Sequence, residues 1–188
     1  LAECGARYRL PLLAIAFPAL KQRPAAELHY LLELTMRLIE TDGDFDLYEY
    51  CFHRILSTNL ARSSNPAATR RRVHRKDLRK AAINLLRILA DYGHDTDEKR
   101  RAAFAAGIDT LGNWAAQHDF EADRRNTISV LDHSLDVLLG LNTKGKESLL
   151  RAIGTVAKHD DVIAIAEAEL IRAVCASLDF PLPPILVD

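Results

Sequence analysis

Apolar residues recur along this chain three and four positions apart, and no stretch holds the sustained two-residue alternation of a half-buried strand. The first spacing lines one face of an α-helix, so the pattern predicts an all-α bundle of about eight helices. Leu10 to Leu20 opens it as a short helix or buried segment. Pro24 suits the first turn of the next helix, where its missing N–H costs nothing. That helix covers Ala25–Glu40, marked by Leu28, Leu31, Leu32, Thr35, Leu38 and Ile39. A third runs from about Leu47 to Leu60, with Tyr48, Cys51, Phe52, Ile55 and Leu56 on one face. Residues Ala61–Thr69 are small and polar and contain Pro66, the composition of a loop; with the basic residues after it, 61–74 is expected to be mobile.

Leu78, Ala81, Ala82, Leu85, Leu86 and Leu89 then define a helix over Arg75–Tyr92, and Gly93 sits where a helix C-cap belongs. Asp95 or Thr96 can cap a helix over Asp97–His118. Ala102, Ala103, Ala105 and Ala106 give that helix a small face for close packing, while Gly107 and Gly112 weaken it and suggest a kink or division. Ile128, Leu131, Leu135 and Leu138 form the stripe of a helix over Ala122–Leu139, ended by Gly140. Thr143 can cap the next, which reaches about His159. The last covers Ile165–Leu178, and Asp179–Leu186, with its three prolines, is expected to be extended and to pack back on the bundle. The whole of 1–188 reads as one helical domain with a flexible end at 1–9.

Two turns interrupt this pattern with clustered acid. Residues 40–49 hold five carboxylates in ten positions, Glu40, Asp42, Asp44, Asp46 and Glu49. A sparser echo follows as Lys158-His159-Asp160-Asp161-Val162-Ile163-Ala164-Ile165-Ala166-Glu167. In each, an Asp precedes a Glu by seven positions, Asp42 to Glu49 and Asp160 to Glu167, with helical apolar patterns on both sides. This suggests two related helix-turn-helix halves. Asp46 and Glu49 also fit a capping box, each side chain reaching the other's backbone amide.

Composition narrows the function classes more than it selects one. Of 188 residues, 48% are apolar and 27% charged, which suits a globular chain. The net charge of −1 gives no global pull towards nucleic acid or membrane. The three cysteines, Cys4, Cys51 and Cys175, form no Cys-x-x-Cys pair and point to a reducing compartment. No run approaches the ~20 apolar residues of a membrane span. The chain begins at Leu1 without an initiator methionine, so it is expected to be a piece of something longer.

Asp42, Asp44, Asp46 and Glu49 supply the oxygen ligands that a hard divalent cation such as Ca²⁺, Mg²⁺ or Mn²⁺ requires. The first three match the opening of an EF-hand loop, but Gly43 and Glu49 fall at the wrong positions, so an EF-hand is rejected. The plainer reading is a solvated turn whose carboxylates complement helix N-termini. The run Arg70, Arg71, Arg72, His74, Arg75, Lys76, Arg79, Lys80 could meet nucleic-acid phosphates or acidic lipid, yet no aromatic residue interleaves, and a solvated face is the simpler reading. Seven histidines are scattered without His-Glu-x-x-His, and no nucleophile elbow or phosphate-binding glycine loop occurs. Nothing in the sequence supports catalysis by this chain.

The segments LIETDGDFDLYEYCFHRIL and VAKHDDVIAIAEAELIRAVCASLDFPLPPIL resemble the TerB-like (tellurite-resistance-like) helical module. AINLLRILADYGHD and AAFAAG, with the closing AEAELIRAVCASLDFPLPPIL, are similar more particularly to the C-terminal region of bacterial membrane-integrated, HtpX-like zinc metallopeptidases. The similarity runs from about Leu10 to Leu186. It implies a parent with an N-terminal peptidase domain that holds the zinc, membrane spans, and this chain on the cytoplasmic side of the inner membrane. Its partners would be its own peptidase and membrane domain, with other proteins or the membrane surface after them. It also implies acidic, metal-associated turns, matched here by Asp42, Asp44, Asp46 and Glu49, then by Asp160 and Glu167. The second turn departs from the pattern at Asp161, Val162 and Ala164. The reading of the whole is a non-catalytic interaction or regulatory domain, with a divalent-cation sensor as the alternative and a nucleic-acid or acidic-lipid binder through 70–80 as the third.

Overall fold

A computed structural model of the chain describes residues 9–20, 22–41, 47–64, 73–112, 120, 127–160, 163 and 165–180. Among them it forms eight helices and no strand: α1 (Arg9–Leu20), α2 (Ala25–Thr41), α3 (Leu47–Ser64), α4 (Arg75–Gly93), α5 (Asp97–Leu111), α6 (Thr127–Leu138), α7 (Thr143–Ala157) and α8 (Ile165–Leu178). The chain falls into two compact units, one of residues 1–69 and 172–183, the other of 70–171 and 184–188. No helix among the described residues is long and apolar enough to cross a membrane.

In the first unit α1 and α2 both pack on α3. Coverage from two sides widens the buried arc of α3 beyond the face that its spacing predicts, and Tyr50 goes inside at 1% exposure with Cys51, Leu56 and Leu60. The helix continues to Ser64, where a loop from Ala61 was expected. Nothing before Pro66 forbids another turn; the proline restrains only the residue that precedes it. The end of α8 adds buried Ala173, Val174, Cys175 and Leu178. Arg54 Nε donates to the Oγ of buried Ser177 at 3.1 Å, which satisfies a hydroxyl away from water. Asp179, expected to begin an extended tail, instead takes a left-handed φ of 59°. That bend lets the amide of Phe180 reach back to the carbonyl of Cys175 at 2.9 Å, the bond that closes a Schellman C-cap. The remainder of the expected tail, 181–188, lies outside the described residues.

In the second unit α4 packs against α5, α6 and α7, and α5 packs on α7. The predicted stripe of α4 is buried from Ala81 to Leu89, joined by Ile88 and Ala90. α5 differs from expectation in both extent and orientation. Its buried face is Ala103, Phe104, Gly107, Ile108 and Leu111, whereas Ala102 and Ala105 are exposed. Gly107 sets that orientation, because a Cβ there would stand 2.5 Å from Val156 Cγ2 on α7. The helix ends at Gly112, whose φ of 68° only glycine adopts without cost. Phe104 meets Phe120 edge to face, with ring centroids 5.6 Å apart. Thr96 caps α5 by accepting from the Lys99 amide at 3.3 Å. Asn142, in place of the expected Thr143, caps α7 by accepting from the Gly145 amide at 2.8 Å.

Candidate functional site

The second unit gathers its polar chemistry where α4 turns into α5. His94 follows α4 as its C-cap in extended conformation, so its ring is carried inward between the elements that flank the turn. The ring is buried, and its Nε2 lies 3.2 Å from the carbonyl oxygen of Val156 on α7. A carbonyl only accepts, so Nε2 carries the hydrogen of that bond. Nδ1 faces Asp160 Oδ2 at 3.4 Å, and Lys99 Nζ reaches the same oxygen at 3.3 Å. Arg100 binds the turn from the other side. Its Nε donates to the His94 carbonyl at 2.8 Å, Nη2 to the Asp95 carbonyl at 3.3 Å, and Nη1 to Asp97 Oδ1 at 2.9 Å. Asp91, in the last turn of α4, stands 3.5 Å from Arg100 Nε.

Gly93 completes the junction in a way its sequence position hides. It is the last residue of α4 and not its cap, and no left-handed φ is needed there. Its value is the missing side chain: a Cβ at 93 would lie 2.7 Å from the carboxyl carbon of Glu167. Glu167, in the first turn of α8, is fully buried and lays its carboxyl against the Gly93 backbone.

A groove opens beside this junction, lined by Thr110 of α5 and by Arg151, Gly154, Thr155, Lys158 and His159 of α7 and the turn after it, with a volume of about 570 Å³. Thr110 Oγ1 and Thr155 Oγ1 are 3.1 Å apart across it. Each hydroxyl also bonds the carbonyl four residues back, Ala106 at 2.9 Å and Arg151 at 3.1 Å. Nothing would lie within 4 Å of a Cβ on Gly154, so the α7 backbone is bare there. His159 links groove and junction, its ring set edge-on to His94 with centroids 6.1 Å apart.

The acidic positions singled out by sequence divide sharply. Asp42, Asp44 and Asp46 lie outside the described residues; Glu49 stands half-buried in the first turn of α3 and has partners of its own. Asp160 and Glu167 are both turned onto the α4–α5 junction, one against His94 and the other against Gly93. Among the described residues no three metal-ligating side chains gather around one point. Of the basic run, residues 70–72 lie outside the described part, His74, Arg75, Lys76 and Lys80 are exposed, and Arg79 is half-buried. Sequence reading missed the groove, although its α7 wall is written in the spacing of Arg151, Gly154, Thr155 and Lys158 at i, i+3, i+4 and i+7.

No family model matches the chain, and no curated protein or solved structure matches it.

Proposed function

We propose that the chain is a non-catalytic interaction and regulatory domain of a membrane-integrated zinc metallopeptidase, held on the cytoplasmic face of the bacterial inner membrane. The parentage rests on the resemblance of segments 38–56, 82–107 and 156–186. The interaction role rests on one observation in the first unit. There α1 and α2 turn large apolar side chains outward, Ile15 at 76% exposure and Tyr30 at 63%, with Leu12 and Leu34 also open. Leu12 and Ile15 share one face of α1 by their i, i+3 spacing, as Tyr30 and Leu34 share one face of α2 by i, i+4. Covering such a side chain contributes about 1.5–3 kcal/mol, which makes these faces the natural place for the peptidase or its membrane segment to dock.

The complete reading frame and a cross-linking experiment test this together. The frame should contain an upstream His-Glu-x-x-His site and membrane spans. A photoactivatable residue at Ile15 or Tyr30 of the full-length protein should cross-link to the peptidase domain in membranes, while the same residue at Glu98, on the exposed side of α5, should not. A frame without those features removes the parentage. Cross-linking that is equal at all three positions removes the docking face. Casein cleavage by the purified chain, abolished by a chelator, would overturn the non-catalytic assignment.

A further inference from the structure

We propose that the groove between α5 and α7 binds a phosphate-bearing anion of the phosphomonoester class, independently of whatever docks on α1 and α2. Its lining carries two permanent cations, Arg151 and Lys158, and no carboxylate. Neither cation pairs with an acidic side chain among the described residues, although Asp160 is close by in sequence, because that carboxylate faces Lys99 and His94. The end of α7 carries about half a negative charge from its dipole, which the two full cations outweigh.

The donor set selects the ligand. Arg151 offers a planar fork and Lys158 a point charge two turns beyond it, the two ways that proteins hold phosphate oxygens. Thr110 and Thr155 add hydroxyls that can rotate from the carbonyls they now bond. Bare backbone at Gly154 lets a bulky tetrahedral group sit down on the helix. The groove is shallow and open to solvent, so an exchangeable anion can reach all four side chains. A cation would meet like charge here.

The chemistry is shared by soluble phosphomonoesters and by phosphatidate headgroups, and the test separates the two. The intact chain is titrated at low salt with inorganic phosphate and with pyrophosphate, followed by amide chemical shifts. Shifts should be confined to Thr110 and to 151–159, and added sodium chloride should weaken them. Arg151→Ala and Lys158→Ala should each weaken binding about two- to fivefold, the effect expected of an exposed charge contact. Gly154→Leu, which meets no protein atom within 4 Å of its Cβ, should fill the floor and abolish binding without lowering the melting temperature. Co-sedimentation with phosphatidylcholine vesicles doped with phosphatidate, lost in Lys158→Ala, would identify the headgroup as the source; soluble binding without co-sedimentation would identify a free phosphomonoester. The proposal fails if neither phosphate, pyrophosphate nor vesicles shift these amides, or if Gly154→Leu binds as the wild type does.

Discussion

Gly93→Ala sets a helix gain against a steric loss, and the structure decides which is larger. In an open helix, glycine to alanine stabilises by about 0.5–1 kcal/mol, because the unfolded chain loses freedom. At 93 the new Cβ would stand 2.7 Å from Glu167 Cδ and 3.3 Å from Oε2. Unbonded carbons rest at about 3.5–4.0 Å, so the carboxyl or the backbone must retreat by about 1 Å. Glu167 is fully buried, so its carboxyl cannot retreat into solvent. Forced overlap in such a site costs about 1–3 kcal/mol. Dragging a buried carboxyl off its contacts costs about 1–3 kcal/mol more. The net effect is a loss of about 3 kcal/mol, which for a chain of this size lowers the melting temperature by about 10 °C. Urea unfolding followed by far-ultraviolet circular dichroism measures it. In a Glu167→Ala background the obstacle is gone, and the same change at 93 should stabilise by about 0.5–1 kcal/mol, a reversal of sign that a double-mutant cycle reads directly. If Gly93→Ala alone is as stable as the wild type, the close approach of α8 to the α4 terminus is wrong.

Other outcomes follow from individual contacts. Thr96→Ala and Asn142→Ala each remove an N-cap acceptor, and each should cost about 1 kcal/mol in chemical denaturation. Asp179→Gly should stabilise by about 0.5–1 kcal/mol in the same assay, since it removes the cost of a left-handed aspartate and keeps the Phe180–Cys175 bond. Burial pushes the Cys175 thiol up from 9.0 to about 11, so near neutral pH it should react with a disulfide reagent only as fast as the protein opens. The unfolded thiol ionises first, so the contribution of Cys175 is complete below pH 9 and is lost as pH rises from 9 through 11. Two pKa units correspond to about 2–3 kcal/mol, measurable as a falling melting temperature over that alkaline range.

The helices were legible in the sequence because their apolar spacing is regular. α8 occupies Ile165–Leu178 as read, and α4 ends within a residue of expectation. Errors arose wherever a distant element decides a local question. Gly93 reads as a cap in one dimension, but its reason is the carboxyl of Glu167, which no pattern around residue 93 contains. The buried side of α5 was misassigned because a run of alanines leaves all faces equally small, and only the approach of Val156 to Gly107 breaks the tie. Asp160 and Glu167 stand in the sequence as matches to a metal-associated acidic turn. Folding places them against His94 and Gly93, neighbours that no pattern around residues 160–167 contains, the one half-buried and the other wholly so. The groove is not legible because its walls come from two helices far apart in the chain, and the α7 spacing marks a site only once Thr110 of α5 is brought against it.

The internal role of that second corner is tested most directly with manganese. Amide spectra of the wild-type chain titrated with Mn²⁺ report any carboxylate that an ion can reach, through paramagnetic broadening. With Asp160 paired to Lys99, and Glu167 wholly buried, the signals of 93–95, 158–160 and 165–169 should keep their width at Mn²⁺ concentrations equal to the protein. Selective broadening centred on Asp160 and Glu167, removed by Asp160→Asn, would show that these carboxylates are ligands and not struts.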